Sequence, residues 1–196
     1  MTGLIRGAVG GYVNVRRVVT GHDQNGKAVF VSDAQVQPIT ASLVPGIEFH
    51  RLWGSDTAST FPDRGNMPSF GTYFPPVGGF RVWFFSLPPR RHGTSEETAA
   101  ALTDPAALSE FEAKLPGLAQ YLEPDEPGMH TTPTIDFEVV LAGEIVLELD
   151  EGASVTLRAG DTIVQNGTRH RWRNDGDVPA LVAAFICGAH HARFTR

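Results

Sequence analysis

Short runs of apolar residues, separated by turn residues, dominate the last third of the chain. The connectors carry Gly, Asn or Asp, as at Asn166-Gly167, where the turn requires a positive φ. No segment long enough for a helix separates the runs, so they predict antiparallel strands in a sandwich or barrel. The predicted strands cover residues 135–141, 145–149, 155–157, 162–165, 170–173 and 181–186.

The first half of the chain also has an extended pattern. β-Branched residues in 13–20 and an apolar run over 28–31 flank Asn25-Gly26, a strong signal for a hairpin turn. Residues 54–79 are rich in Pro, Gly, Ser and Thr, which predicts a long loop over a more regular body. Residues 80–87, bounded by glycines and by two prolines, predict a further strand.

A helical pattern is clearest between positions 104 and 117. Asp104-Pro105 supplies an N-cap residue and a proline in the first turn, and apolar residues follow at 108, 111 and 115. Pro116-Gly117 then ends the helix. A weaker helical turn is predicted over residues 95–102.

Composition and charge narrow the class of protein. The 196 residues, 41% of them hydrophobic, predict one globular domain over 1–196. Within it, residues 1–93 form N-terminal strands and the long loop, 94–122 a helical segment, and 127–189 the barrel motifs. The net charge of −6, with no basic stripe, argues against nucleic-acid binding.

The cysteine content and the N-terminal residues suggest a location. A single cysteine, Cys187, excludes an internal disulfide and fits a reducing compartment. No apolar window has the length of a membrane span, and residues 1–17 show no signal-peptide pattern. We therefore expect a cytoplasmic protein that does not bind membranes.

One face of the segment before the second half of the barrel is unusually polar. In an extended chain, side chains alternate, so the following residues share one face: His130, Thr132, Thr134, Asp136 and Glu138. The opposite face is apolar and suits packing on a second layer. The polar face therefore points either to water or into a polar cavity.

A second histidine lies in a similar pattern farther along the chain. His170, Trp172 and Asn174 share one face of a predicted strand, and Arg171 and Arg173 take the other. With the arginines outside, the histidine points inward. Two histidines and a carboxylate inside a small barrel are suitable ligands for Zn, Fe, Mn or Ni. The alternative is a pair of structural histidines and a carboxylate that bind no metal.

These two segments resemble the two sequence motifs of the cupin superfamily. The first motif is matched by Gly128, His130, Asp136 and Gly143, and the second by Gly160-Asp161, Gly167, His170 and Asn174. The chain departs from the pattern at Thr132, which replaces a second histidine, and at Asp136, where glutamate is more usual. The second motif is also one residue short before Gly167 and lacks its proline.

The resemblance implies an antiparallel cupin (jelly-roll) β-barrel with an N-terminal strand extension and one or two short helices. It also implies one divalent metal ion, Zn, Fe, Mn or Ni, bound by His130, Asp136 and His170. Thr132 or water would fill the remaining position. Glu138 is the alternative carboxylate ligand and otherwise the best candidate for a general acid or base.

Over its whole length the chain resembles a narrower group of cupins, most of them uncharacterised bacterial proteins. The shared stretches are residues 16–23, 52–54, 115–118 and 128–132. Similar fungal proteins act in polyketide pathways as dehydratases or decarboxylases. The resemblance thus implies a metal-dependent lyase that acts on a small organic acid or polyketide-like substrate.

Two other functions and a homodimeric assembly also fit the sequence. The alternatives are a non-haem iron oxygenase and a non-catalytic cupin that binds a small molecule. We also expect a homodimer, because extra edge strands need to be covered. Arg81, beside Trp83, is expected to be a solvated arginine at a sheet edge, with recognition of a carboxylate as the alternative.

Overall fold

The computed structural model describes residues 14–90 and 103–194, so the helical turn predicted over 95–102 lies outside the described residues. Within the described part, most secondary structure is β-strand. The strands are β1 (Val15–His22), β2 (Ala28–Val36), β3 (Glu48–Ser55), β4 (Phe80–Leu87), β5 (Thr134–Ala142), β6 (Glu144–Glu148), β7 (Ser154–Arg158), β8 (Thr162–Gln165), β9 (Arg171–Arg173) and β10 (Ala180–Gly188). Helix α1 spans Pro105–Lys114, and short 3-10 turns span Ala119–Tyr121 and Asp150–Gly152.

The strands form an antiparallel barrel with a separate N-terminal hairpin. β1 and β2 pair with each other, and the larger sheet has the order β3-β4-β10-β5-β8. A three-stranded sheet has the order β7-β6-β9. Every pairing between these strands is antiparallel. Side chains of β4, β5 and β10 pack against those of β6 and β7 in one core, which confirms the predicted all-β cupin barrel.

Helix α1 begins and ends where its sequence predicts. The Asp104 side chain accepts a hydrogen bond from the backbone N–H of Ala106 (2.9 Å), and Pro105 occupies the first turn. Phe111 and Leu115 are buried in the core, and the helix stops before Pro116-Gly117. The helix therefore closes one side of the barrel with its apolar stripe.

The long loop between β3 and β4 is held to the barrel by a buried arginine. The Arg81 guanidinium, 0% exposed, donates to the carbonyl oxygens of Ser55 (3.0 Å) and Thr72 (3.1 Å). It also pairs with Asp56 at 2.5 Å. The expectation of a solvated edge arginine was therefore wrong, because the loop folds over Arg81 and supplies its acceptors. This anchoring places Tyr73 inside the barrel.

One motif glycine is required by the turn between β5 and β6. Gly143 has φ +73°, and a Cβ there would lie 2.6 Å from the carbonyl oxygen of Pro179. A larger residue would therefore strain the backbone and push β10 away. Within residues 14–90 and 103–194, no helix has both the length and the apolar character needed to cross a membrane.

Candidate functional site

The site is a cavity of about 180 Å³ inside the barrel. All four residues predicted to carry chemistry, His130, Asp136, Glu138 and His170, line this cavity. The remaining walls are mostly aromatic and aliphatic, and they come from the N-terminal strands, the long loop, helix α1 and the barrel. Among them are Phe49, Tyr73, Phe85, Phe111, Trp172 and Ile186.

The two histidines lie side by side because their backbones pair. The His130 N–H donates to the His170 carbonyl (2.9 Å), and the His170 N–H donates to the His130 carbonyl (3.0 Å). Their ring centroids are 4.2 Å apart. This single antiparallel bridge joins the two sequence motifs and brings the imidazoles into one cavity.

Backbone carbonyls set the tautomer of both histidines. Nδ1 of His130 lies 3.0 Å from the Gly128 carbonyl, and Nδ1 of His170 lies 2.8 Å from the Thr168 carbonyl. A carbonyl oxygen only accepts hydrogen bonds, so each Nδ1 carries the proton and each Nε2 keeps a lone pair. This arrangement is the one that orients histidines for metal binding through Nε2.

Both imidazoles are neutral at physiological pH. Burial lowers the pKa of His130, partly offset by its hydrogen bond to Gly128. Burial and the neighbouring His130 lower the pKa of His170 to about 3. Neutral imidazole is the form that binds a metal ion or accepts a proton.

Strand β5 directs two carboxyl groups into the same cavity. Asp136 and Glu138 alternate with outward-facing Phe137, and they lie opposite Ile186 and Ala184 of β10. Both are buried, and Asp136 Oδ1 and Glu138 Oε2 have no hydrogen-bond partner. The polar face predicted for this segment therefore points into the protein: His130, Asp136 and Glu138 line the cavity. Thr132 and Thr134 are buried beside them in sequence.

The apolar surroundings keep these carboxyl groups partly protonated near neutral pH. Burial raises the pKa of Asp136 to about 7, against the opposing effect of a hydrogen bond with Thr134. Burial and the nearby charge of Asp136 raise the pKa of Glu138 to about 8. Such values are suited to a group that both gives and takes a proton at neutral pH.

Tyr73 is a site residue that sequence reasoning missed. It lines the same cavity as Asp136 and Glu138. Burial raises the pKa of its phenol, and these two carboxyl groups raise it further. Tyr73 stacks on Trp83 at 4.5 Å between ring centroids. It lies in the Pro- and Gly-rich loop, where side chains follow no regular alternation that would predict which of them point inward.

The donor atoms in the cavity fit a divalent metal ion in part. The two Nε2 atoms and Asp136 Oδ1 are the right donor types, and none of them is occupied by a hydrogen bond. Thr132, at the position of the missing motif histidine, has its hydroxyl 2.8 Å from that of Thr134. Among the residues described, no three His, Cys, Asp or Glu side chains are gathered closely enough to hold an ion as they stand.

Comparison with known proteins assigns the chain to a family. Residues 120–187 match the Cupin_2 family model, described as a cupin domain. The chain is 33% identical over 162 residues to the phomopsin biosynthesis cluster protein C' of Diaporthe leptostromiformis, an alignment that covers 81% of this chain and 69% of that protein. The chain belongs to the cupin superfamily.

Further relatives and solved structures extend the comparison. The cupin-domain-containing oxidoreductase fogC of Aspergillus ruber is 26% identical, over 87% of this chain and 71% of that protein. The Cnp3 cupin domain of Schizosaccharomyces pombe matches with a TM-score of 0.44 and 9% identity, over 88% of this chain and 87% of that one. A "predicted oxalate decarboxylase" of Thermotoga maritima matches with a TM-score of 0.42 and 16% identity. That match covers 78% of this chain and 93% of that one.

Proposed function

We propose that this cupin is a lyase that removes water or carbon dioxide from a small organic acid or polyketide-like substrate. The observation that carries the proposal is the state of Glu138. Its carboxyl group is buried, has an unpartnered oxygen, and faces an apolar cavity with a pKa raised to about 8. A carboxylate with so high a pKa is a stronger base than an ordinary one, and near neutral pH the protonated form is also populated and can donate its proton.

Glu138 moves the proton in either reaction. In dehydration, its carboxylate takes a proton from the carbon beside a carbonyl group and returns it to the departing hydroxyl. A C–O bond breaks, a C=C bond forms, and water leaves without any change of redox state. In decarboxylation, a C–C bond breaks and carbon dioxide leaves, and neutral Glu138 protonates the carbon that remains.

We further propose that His130, Asp136 and His170 bind one divalent ion, from among Zn, Fe, Mn and Ni. Support comes from the two free Nε2 atoms and from the unpartnered Asp136 Oδ1 in the same cavity. Glu138 is the alternative carboxylate ligand. When bound, such an ion supplies Lewis-acid polarisation of a carbonyl oxygen.

Elemental analysis tests the ion. We expect about one ion per chain in the wild type and loss of that ion in His130→Ala and His170→Ala. His190→Ala, which removes an exposed histidine, is the matched control and should keep the ion. A wild-type protein that binds no ion after metal addition would remove the metal from the proposal and leave the acid–base chemistry of Glu138.

Turnover of β-hydroxy and β-keto acids tests the lyase itself. We expect Glu138→Gln to lower the rate by about 10²- to 10⁴-fold, the usual contribution of a positioned acid–base group. Glu151→Gln, at an exposed glutamate, is the control and should retain the wild-type rate. Undiminished turnover by Glu138→Gln would contradict the role assigned to this residue.

A second candidate is an iron-dependent oxidoreductase. The names of the relatives favour it, since both fogC of Aspergillus ruber and virC of Hypocrea virens are named cupin-domain-containing oxidoreductases. Two histidines and a carboxylate also suit ferrous iron and dioxygen. Substrate-dependent oxygen uptake by the iron-loaded protein would favour this function over the lyase. Ligand binding without any turnover would leave a non-catalytic small-molecule-binding cupin.

We also propose that the protein is a homodimer that covers the outer edge of β2. Within the described residues β2 pairs only with β1, so one edge of the hairpin has no strand beside it. Phe30, 80% exposed, projects from it, flanked by exposed Val29 and Val31. Light scattering should show a dimer for the wild type and a monomer for Phe30→Asp. A monomeric wild type would refute the proposal.

A further inference from the structure

Three arginines surround a second space beside the catalytic cavity. This space has a volume of about 210 Å³, and Arg90, Arg171 and Arg173 are among its lining residues. We propose that it is the carboxylate subsite of the substrate, with Arg171 and Arg173 as the groups that recognise the anion. The role of this subsite in turnover rests on the proposed function. The binding of an anion there rests on the charges and contacts of the arginines.

The second space adjoins the catalytic cavity directly. The walls of the two spaces have five residues in common: Val44, Ile47, Leu87, Gly128 and Trp172. Trp172 of β9 lines both spaces, whereas Arg171 and Arg173, its neighbours in that strand, line only the second one. A Cβ at Gly128 would lie 3.8 Å from Cβ of Arg171, so the small residue leaves room beside the arginine stem. A ligand that extends from the catalytic cavity into the second space therefore brings its outer end to the arginines.

The arginines carry more positive charge than their partners neutralise. Glu148 pairs with Arg171 (2.5 Å) and with Arg173 (3.1 Å). Asp175 pairs with Arg173 (3.4 Å) and with Arg90 (3.6 Å). Three guanidinium groups thus face two carboxylates, which leaves one excess positive charge beside an apolar cavity.

The donors of Arg171 and Arg173 also exceed the acceptors around them. Each guanidinium has five N–H donors in a fixed plane, and the two share one carboxylate, Glu148. Nε of Arg171 is buried without a hydrogen-bond partner. Nε of Arg173 lies 3.1 Å from Oε2 of Glu148, in an ion pair without hydrogen-bond geometry. A monoanionic carboxylate satisfies both the spare charge and the spare donors.

The subsite fixes the direction in which the substrate binds. Its carboxylate lies at the arginines, and the apolar remainder extends past Trp172 toward Glu138. A carboxylate held by arginines lies away from the proton-moving group and is not the one that would be lost. Of the two reactions proposed, the orientation therefore selects the loss of water from the inner end.

A matched pair of probes tests the subsite without any need for turnover. We would measure the binding of 4-phenylbutanoate and of its neutral amide, 4-phenylbutanamide, by calorimetry. We expect the wild type to prefer the carboxylate by about tenfold or more, as for one charge-assisted contact. Arg171→Gln and Arg173→Gln should each lose most of this preference and bind the amide as the wild type does.

Controls separate recognition from general damage. Arg158→Gln removes an arginine of β7 that also pairs with a glutamate, Glu144 at 3.0 Å, and should keep the preference. Unchanged binding of the amide shows that each variant is folded, and Arg171→Lys should restore part of the preference through its charge. Equal binding of the two probes by the wild type, or no binding of either, would overturn the subsite. An equal loss in Arg158→Gln would overturn it too.

The outcomes distinguish the subsite from the lyase. A carboxylate preference that depends on Arg171 and Arg173, in a protein without turnover, supports the subsite and refutes the lyase. Turnover that depends on Glu138, without any carboxylate preference, supports the lyase and refutes the subsite.

Discussion

Replacing Glu138 by glutamine should stabilise the protein at alkaline pH. In the folded protein, burial and the charge of Asp136 raise the pKa of Glu138 from 4.5 to about 8. The folded state therefore holds this proton more tightly than the unfolded chain does. Binding of this proton therefore stabilises the folded state relative to the unfolded chain. The full stabilisation is present below pH 4.5 and is lost as the pH rises toward about 8. Glutamine has the same shape and never ionises, so the variant escapes this loss.

The size of the effect follows from the pKa values. Each pKa unit corresponds to about 1.4 kcal/mol, so the rise from pH 6.5 to the pKa of Glu138 costs the wild type about 2 kcal/mol. Asp136, with a pKa of about 7, adds a smaller loss over the same interval. The pKa values of His130 and His170 are lowered in the folded protein, so both histidines lose protons mainly from the unfolded chain above pH 6.5 and offset part of this loss. This offset is the same in the wild type and in Glu138→Gln, so the difference between the two proteins reports on Glu138.

Urea unfolding at pH 6.5 and pH 8.5 measures the difference. The free energy of unfolding of the wild type should fall by about 2–3 kcal/mol between these values, and that of Glu138→Gln by less than about 1 kcal/mol. Glu151→Gln, at an exposed position, is the control and should follow the wild type. Equal slopes for the wild type and Glu138→Gln would refute the assignment of a raised pKa to Glu138.

Three further substitutions test how the fold supports the site. Arg81→Met should lower the free energy of unfolding by about 3 kcal/mol, because the buried guanidinium holds the long loop. Residues 56–79 should then become sensitive to proteolysis, and a protease-resistant variant would contradict this. Asp104→Ala should cost about 1 kcal/mol in urea unfolding through loss of the helix cap, and no change would mean that the cap is not needed. Leu115→Ala should cost about 2–5 kcal/mol by leaving a cavity behind helix α1, since Leu115 is fully buried. A loss below about 1 kcal/mol would show that the core closes around the smaller side chain.

The secondary structure of the second half could be predicted because its signals are local. Alternation of side chains and the turn residues between them depend only on neighbours in sequence. The predicted strand over 162–165 and the strand β8 have the same bounds, and the others differ by a few residues at their ends. Asp104 and Pro105 likewise act within one helical turn, so the start of helix α1 was predictable.

The polar lining of the cavity was also largely predictable. The spacing of Asp136 and Glu138 places both on one face of a strand, and the two cupin motifs indicate that this face points inward. The two motifs also predicted that His130 and His170 point into the barrel, whereas the backbone pairing between them is seen only in the structure. The metal ligands and the catalytic role of Glu138 stay predictions, which elemental analysis and the turnover of Glu138→Gln test.

The sequence by itself thus determined the antiparallel barrel, helix α1 and the four polar residues of the cavity, through periodicity, caps and motif spacing. Tertiary structure decided that Tyr73 lines the same cavity as the carboxyl groups and that Arg81 is buried under the long loop. It also decided the histidine tautomers, through the carbonyl groups of Gly128 and Thr168. The physical reason is that these features depend on atoms that are far apart in sequence and meet only when the chain folds. The local alternation of side chains along a strand carries no information about such contacts. The pKa values near 7 and 8 have the same origin, since desolvation arises only when the whole apolar wall has closed around Asp136 and Glu138.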